Sequence, residues 1–306
     1  MAADEPTGPR RPPSDVVVTY QPDNTLRRGY VSLVGDIWRE LRDNRFLTSQ
    51  LFLRDLYAFY KQSLLGVFWV FLVPLVTVGS FVLLRSSGVV AVGTISTPYP
   101  LYAVLGLAFW QLFSQGLVAG ANSLVAGGDL LARIAFSRKS LVLASMGRAV
   151  ISFVILIGVA ILLFAYYAGT GAALPLHAQG LLSPLATVPL LLLTVGLSFY
   201  LALINGIVRD VATVLAMLLT FVMLLTPVLY ERPQPDPAAD WLSGLGATIT
   251  TYNPLYYLVT APRDLILRGK LLEPDGFWIS TALSAFVFMF GMVSFHLSET
   301  RITERV

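Results

Sequence analysis

The chain has 306 residues, 56% of them hydrophobic and only 13% charged, with a formal net charge of +3. A soluble domain carries about 25% charged residues, so a large soluble fold is excluded by lack of polar surface. With no cysteine, disulfides, thiolate catalysis and Cys-ligated metals are excluded too, and the two histidines, His177 and His296, lie far apart and read as membrane-interface residues.

Residues 1–24 are rich in proline and charge and lack periodicity, which reads as a disordered arm. Residues 25–64 read as cytoplasmic amphipathic and interfacial helices. Tyr30, Leu33, Val34, Ile37, Trp38 and Leu41 form one apolar helical stripe, with Arg39, Glu40, Arg42 and Asp43 on the other side. Such a helix is too charged to span and lies in the headgroup plane or on a partner. An aromatic-rich segment follows from Phe46 to Tyr60, carrying Arg45, Arg54, Asp55 and Lys61.

Six apolar runs come next, at roughly 66–84, 101–118, 148–168, 185–205, 211–230 and 277–297, each about the length of a hydrocarbon core. A backbone in lipid must satisfy its own hydrogen bonds, so each is expected to be helical. The expected fold is an all-α membrane protein with six transmembrane helices over 65–306. It includes a cytoplasmic loop at 119–147 and an external segment at 231–276. Short re-entrant external helices are expected between spans five and six, where TTYNPLYYLVTAPRDLILRG is apolar but broken by Pro254, Pro262 and Arg263.

Lys and Arg placement sets the orientation. Sixteen lie in the N-terminal segment, the loop between spans two and three, the turn at Arg209 and the tail; five (Arg85, Arg232, Arg263, Arg268, Lys270) lie opposite. Both termini are therefore expected in the cytoplasm, with the chain multi-pass in the cytoplasmic membrane.

The chain has no G-x-x-x-x-G-K-[ST] motif, and its one Gly-Lys pair, Gly269-Lys270, is followed by Leu271. It therefore has no P-loop with which to bind ATP. The middles of the six runs hold no Asp, Glu, Lys, Arg or His, which argues against proton coupling and intramembrane catalysis. The acids of the external segment, Glu231, Asp236, Asp240, Asp264, Glu273 and Asp275, read as solvated loop charge. Any uphill transport must draw its energy from a partner.

Such a partner would dock on the loop 119–147. Gly127-Gly128 breaks the preceding helix, and Asp129 caps a new one over 129–139, where its carboxylate meets the helix dipole favourably. Arg133, Phe136, Arg138 and Lys139 would then form an amphipathic docking helix with an aromatic knob. The same residues equally suit a basic loop that only sets topology. Most aromatics near span ends suit an interface belt. Phe109, Trp110 and Phe113 fall inside span two and are candidates for lining a path.

Residues 54–75, RDLYAFYKQSLLGVFWVFLVPL, carry a resemblance. Arg54, Asp55, Tyr60, Lys61, Leu65, Gly66 and Trp69, then Pro74-Leu75, resemble the entry segment of ABC-type polysaccharide export permeases. These are the Wzm-like transmembrane subunits of type-two ABC exporters, O-antigen, teichoic-acid and galactan exporters included. Arg209-Asp210 after span four is similar to that group's Arg-Asp turn. Asn253-Pro254 with Arg263-Asp264 and Gly269 resembles its external segment. The likeness runs from about residue 45 to the end. It departs at Phe59, where the group has Arg, and at Phe136-Ser137, where it often has Phe-Pro.

The resemblance implies a permease without an ATPase site of its own, working as two copies with two ATP-binding-cassette subunits that hold ATP and Mg. The chain itself would bind no cofactor, metal or nucleic acid. The implied cargo is a polyprenyl-diphosphate-linked polysaccharide for cell wall or O-antigen biogenesis. Asp129, Arg133, Phe136, Arg138 and Lys139 would couple to the ATPase. The entry segment would receive the substrate diphosphate or contact membrane lipid headgroups. Tyr252, Asn253, Pro254, Tyr256 and Arg263 would belong to an external gate. The alternative is an ABC-type exporter of small lipids or drugs with the same fold; an energy-independent membrane enzyme or scaffold is a third class.

Overall fold

The computed structural model describes residues 35, 39, 42–61, 66–88, 95, 97–128, 137–171, 177–232 and 241–302. The helical bundle is formed by the unit Glu40–Val306. The expected arm 1–24, nearly all of the stripe at 30–41, and Leu65, Asp129, Arg133 and Phe136 lie outside the described residues, as do the side chains of Tyr60 and Lys61.

The described chain is helical, with no strand among the described residues. In order come α1 (Arg45–Lys61), α2 (Gly66–Ser86), α3 (Tyr99–Ala126), α4 (Arg138–Ser145) and α5 (Gly147–Gly169). After a 3-10 turn (Ala178–Leu182) follow α6 (Ser183–Ile207), α7 (Val211–Leu225), α8 (Trp241–Tyr252), α9 (Pro254–Arg268) and α10 (Pro274–Ile302). Among the described residues, four helical stretches are long and apolar enough to cross a membrane: Tyr99–Ala126, Arg138–Gly169, Ala178–Ile207 and Pro274–Ser298. The apolar stretches Phe71–Ser86 in α2 and Val211–Leu225 in α7 are shorter. The chain is thus an all-α membrane protein.

Local chemistry explains several boundaries. Pro98 and Pro100 flank the start of α3, where fixed φ suits a first turn with no N–H partner. Asn253 caps α9 through its Oδ1, which accepts from the Leu255 N–H at 3.0 Å, and Pro254 takes the first helical position. Gly269 ends α9 in the left-handed region at φ 67°, where a side chain would be strained. α3 runs to Ala126, well past the expected end of span two, because no strong breaker precedes Gly127-Gly128. Of the expected helix 129–139, only Ser137, Arg138 and Lys139 are described; the latter two open α4, which continues to Ser145.

α3 is the centre of the bundle, with Leu101, Phe109, Leu112, Phe113 and Leu117 all buried. α6 packs on α3 and α10, and α5 packs on α3. Lipid is as apolar as leucine, so burial alone does not drive helices together in a bilayer; close approach and hydrogen bonds do. The contact surfaces use small residues accordingly. A Cβ at Gly120 of α3 would lie 2.4 Å from Ser198 of α6, and one at Gly116 would lie 3.1 Å from Thr194. Where α6 crosses α10 the backbones touch: a Cβ at Gly196 would lie 2.5 Å from the Phe288 Cα, and one at Gly291 would lie 2.0 Å from the Gly196 carbonyl oxygen. The remaining faces are apolar and bare, including Leu75 and Leu83 on α2, Ile161 and Leu162 on α5, Met217 and Leu224 on α7, and Ile279 and Phe286 on α10.

Candidate functional site

Polar side chains gather at opposite ends of the bundle. At one end lie the start of α3, the chain after α7, α9 and the start of α10. At the other lie α4, the end of α3 and the turn between α6 and α7.

The α9 end is an ionic plate. The Arg232 Nη1 donates to Glu273 at 2.6 Å and its Nη2 to the Thr251 hydroxyl oxygen at 2.6 Å. The Tyr256 hydroxyl donates to the other Glu273 oxygen at 3.0 Å. Burial, with the Glu273 charge adding to it, pushes the Tyr256 phenol above its ordinary value, so it stays a donor. Arg268 pairs with Glu231 and stands 3.8 Å from Asp264, one helical turn earlier. Asp264 is itself buried, and desolvation raises its carboxyl against the opposing pull of Arg263 and Arg268. A small cleft lined by Tyr256, Tyr257, Thr260, Asp264, Glu273 and Phe277 opens beside it.

Arg263 is only 3% exposed. Its Nη1 donates to the Val228 carbonyl at 2.8 Å, and its guanidinium lies 3.9 Å from the centroid of the Tyr102 ring. Asn253, besides capping α9, donates from Nδ2 to the Thr226 hydroxyl at 2.8 Å. Of the expected external residues, Pro254, Tyr256 and Arg263 therefore sit on one helix capped by Asn253, and Asn253, Tyr256 and Arg263 bond to separate partners at this end. Tyr252 does not join them, being 83% exposed at the end of α8.

At the α4 end, Asn205 does what the sequence assigned to nobody. Its Oδ1 accepts from the Ala212 N–H at 3.0 Å, so a side chain of α6 satisfies the first turn of α7. Its Nδ2 donates to the Ala121 carbonyl at 3.1 Å and to Asn122 Oδ1 at 3.2 Å on α3. Asp210, which precedes α7, makes no side-chain cap, and Arg209 is exposed. The one amide in the last turn of an otherwise apolar run was the available signal.

α1 packs through Leu51, Leu47 and Phe52 against Leu141 and Ala144 of α4. Arg54 and Asp55 pair with each other on its exposed side, at 2.6 Å. Gly66 opens α2, and Trp69 is about half exposed on it. Lys139 is buried at the start of α4, whereas Arg138 is half-buried. Phe109, Trp110 and Phe113 are core residues of this chain: Phe109 packs on Phe153 of α5 with centroids 5.3 Å apart, and Trp110 packs on Phe113 at 5.8 Å. Tyr102 counts in the sequence among the span-end aromatics that suit an interface belt, and Tyr99 is not singled out there; both make structural bonds at the α9 end.

An apolar helical bundle with its charges confined to two ends, one bearing a surface helix and the other an ionic plate, is a polytopic membrane protein. Its sequence is 30% identical over 248 residues to the O-antigen export system permease protein RfbA of Myxococcus xanthus, covering 80% of this chain and 90% of that one. Two RfbA permeases of Klebsiella pneumoniae are 26% and 25% identical over 219 residues, each covering 71% of this chain and 79% of theirs. No protein-family model matches the chain. The chain belongs to the O-antigen export permease family.

Proposed function

We propose that this chain is the transmembrane subunit of an ATP-driven exporter that moves a polyprenyl-diphosphate-linked polysaccharide across the cytoplasmic membrane. The similarity to an O-antigen export permease along 80% of the chain carries this reading. The uncharged middles of the apolar runs agree with it, since a glycan can then pass mid-membrane without being held by a charge. So does the lack of a P-loop, which leaves ATP and Mg to a separate subunit.

On this reading α2, α3, α5, α6, α7 and α10 are six spans, with both termini cytoplasmic. α2, at 21 residues, is about 31 Å long, enough to cross a hydrocarbon core. α7, at 15 residues, is about 22 Å long and needs the extended chain after it to complete the crossing. The protein works as two copies, with two ATPase subunits docked below the loop 119–147 and α4. α1 lies in the headgroup plane, where Arg54 and Lys61 attract the diphosphate. α8 and α9 cap the outer exit.

The test is reconstitution of the chain with its ATPase in proteoliposomes, following ATP-dependent movement of a polyprenyl-diphosphate glycan. Export of the glycan is expected, and export of a small lipid alone would replace this reading by its alternative. Reversal of charge at Arg54 and Lys61 is expected to slow export by about fivefold per residue, from roughly 1 kcal/mol per basic side chain near an anionic surface. Unchanged export would remove both from the mechanism.

A further inference from the structure

The chain beyond α7 is held in an uncommon way. Helix α7 stops at Leu225, and Thr226 is already extended. The carbonyls of Val228, Leu229 and Tyr230 then have no helical N–H to accept from, and buried carbonyls need donors. All three find side chains. Arg263 Nη1 donates to Val228 at 2.8 Å, the Tyr99 hydroxyl to Leu229 at 3.0 Å, and the Tyr102 hydroxyl to Tyr230 at 3.1 Å. These donors belong to α3 and α9.

The space for this is built in. Gly106 lies one turn along α3 from Tyr102, and a Cβ there would fall 2.3 Å from the Val228 oxygen and 3.2 Å from Arg263 Nη1. Tyr102 serves twice, as a donor and as the ring beneath the guanidinium. The Asn253 bond to Thr226 fastens the start of the same strap. Arg263 Nε is buried without a hydrogen-bond partner, a cost borne to put Nη1 on the carbonyl. In contrast, the body of α7 buries only Ala212 and Leu219.

We propose that Arg263, assisted by Tyr99 and Tyr102, is a positioning residue for export: it bolts the chain after α7 to the α3–α9 frame, so that α7 moves about a fixed end. The functional half of this rests on the export function proposed for the chain. Within this chain α7 buries few of its residues, so little of its own fold resists a shift when the partner drives it. The strap stays with the frame, and the path beside α7 changes width at one end only.

The chain has no cysteine, so single cysteines report cleanly. Val228→Cys and Val142→Cys place a thiol at buried positions near the strap and near the opposite end. Each is made alone in the full chain, in detergent-solubilised complex with its ATPase so that both ends meet the reagent, and exposed to a polar maleimide. With Arg263 present both are expected to be protected. With Arg263→Gln, labelling at Val228→Cys is expected to rise at least roughly tenfold, as for loss of a buried charge-assisted hydrogen bond, while Val142→Cys stays protected and glycan export falls. Arg263→Lys keeps a cation above Tyr102 and is expected to restore part of both. Continued protection of Val228→Cys in Arg263→Gln overturns the clamp. So does labelling at both positions, which reports general unfolding, and so does full export from a labelled strap. If the wild-type chain moves no glycan, the labelling still decides whether the clamp exists, so the two failures are separable.

Discussion

Asp264 is a carboxylate kept out of water. Arg268 on its own helix stands 3.8 Å away, Arg263 precedes it, Glu231 and Glu273 add repulsion, and Tyr102 and Tyr256 face it from α3 and α9. Its carboxyl is raised above the ordinary 3.8 by desolvation. The folded state therefore holds this proton more tightly than the unfolded one. The resulting stability is fully present below pH 3.8 and is lost as pH rises through the raised value. Thermal unfolding in detergent, compared between wild type and Asp264→Asn, is expected to show this difference. Relative to the variant, wild type should gain on acidification, by at most about 1.4 kcal/mol per pH unit. A difference of the opposite slope would mean that Arg268 and Arg263 outweigh burial. The comparison with Asn removes only the Asp264 carboxyl, so every other group titrates alike in the two proteins.

At the scale of elements, hydropathy made most of the fold legible. Five of the apolar runs became helices along their whole length and the run 211–230 only as far as Leu225, the aromatic segment became α1, and the stretch broken by Pro254 and Pro262 became the end of α8 and α9. The reason is that lipid forces uncharged runs of this length to be helical. The partners across the bundle were not legible. Asn205 and Ala121 are 84 residues apart, and Arg263 and Val228 are 35 apart, so no spacing rule connects them. Nor did span two reveal which of its sides faces the core, since an apolar helix has no polar face to betray it; Phe109 and Phe113 show their burial only when α5 and α6 are present. The glycines of α6 and α10 belong here. At Gly196 the obstacle is the backbone of Phe288, which cannot swing aside. Gly196→Ala is expected to cost about 1–3 kcal/mol. Gly158 of α5 has nothing within 4 Å of a built Cβ, and Gly158→Ala is expected to be neutral or to gain up to about 1 kcal/mol. Thermal midpoints in detergent decide; equal midpoints for the two variants would remove the α6–α10 crossing as a determinant of stability.

Across the whole molecule the two polar ends are chemically unlike. The α9 end is a charge-paired plate, and the α4 end is held by amides and by the apolar contact of α1 with α4. On the orientation proposed above, the α4 end, to which most of the lysines and arginines are joined in sequence, faces the cytoplasm. Single cysteines at two exposed positions test this: Arg209→Cys in the turn between α6 and α7, and Tyr252→Cys at the end of α8. In intact cells an impermeant maleimide is expected to label Tyr252→Cys and to reach Arg209→Cys only after permeabilisation. The reverse pattern would invert the molecule in its membrane.

The strap after α7 has one more consequence. Its three anchors grip main-chain oxygens, which every amino acid supplies alike. Those three bonds are blind to which residues stand at 228, 229 and 230; Val228 and Leu229 answer only to the volume they fill, while Tyr230 adds a bond of its own, its hydroxyl donating to the Leu224 carbonyl at 2.6 Å. The anchors enjoy no such freedom, because a hydroxyl or guanidinium must reach across from another helix. Natural variation should then fall unevenly, drifting among apolar side chains along the strap and halting at the tyrosines, the arginine and the glycine that hold it.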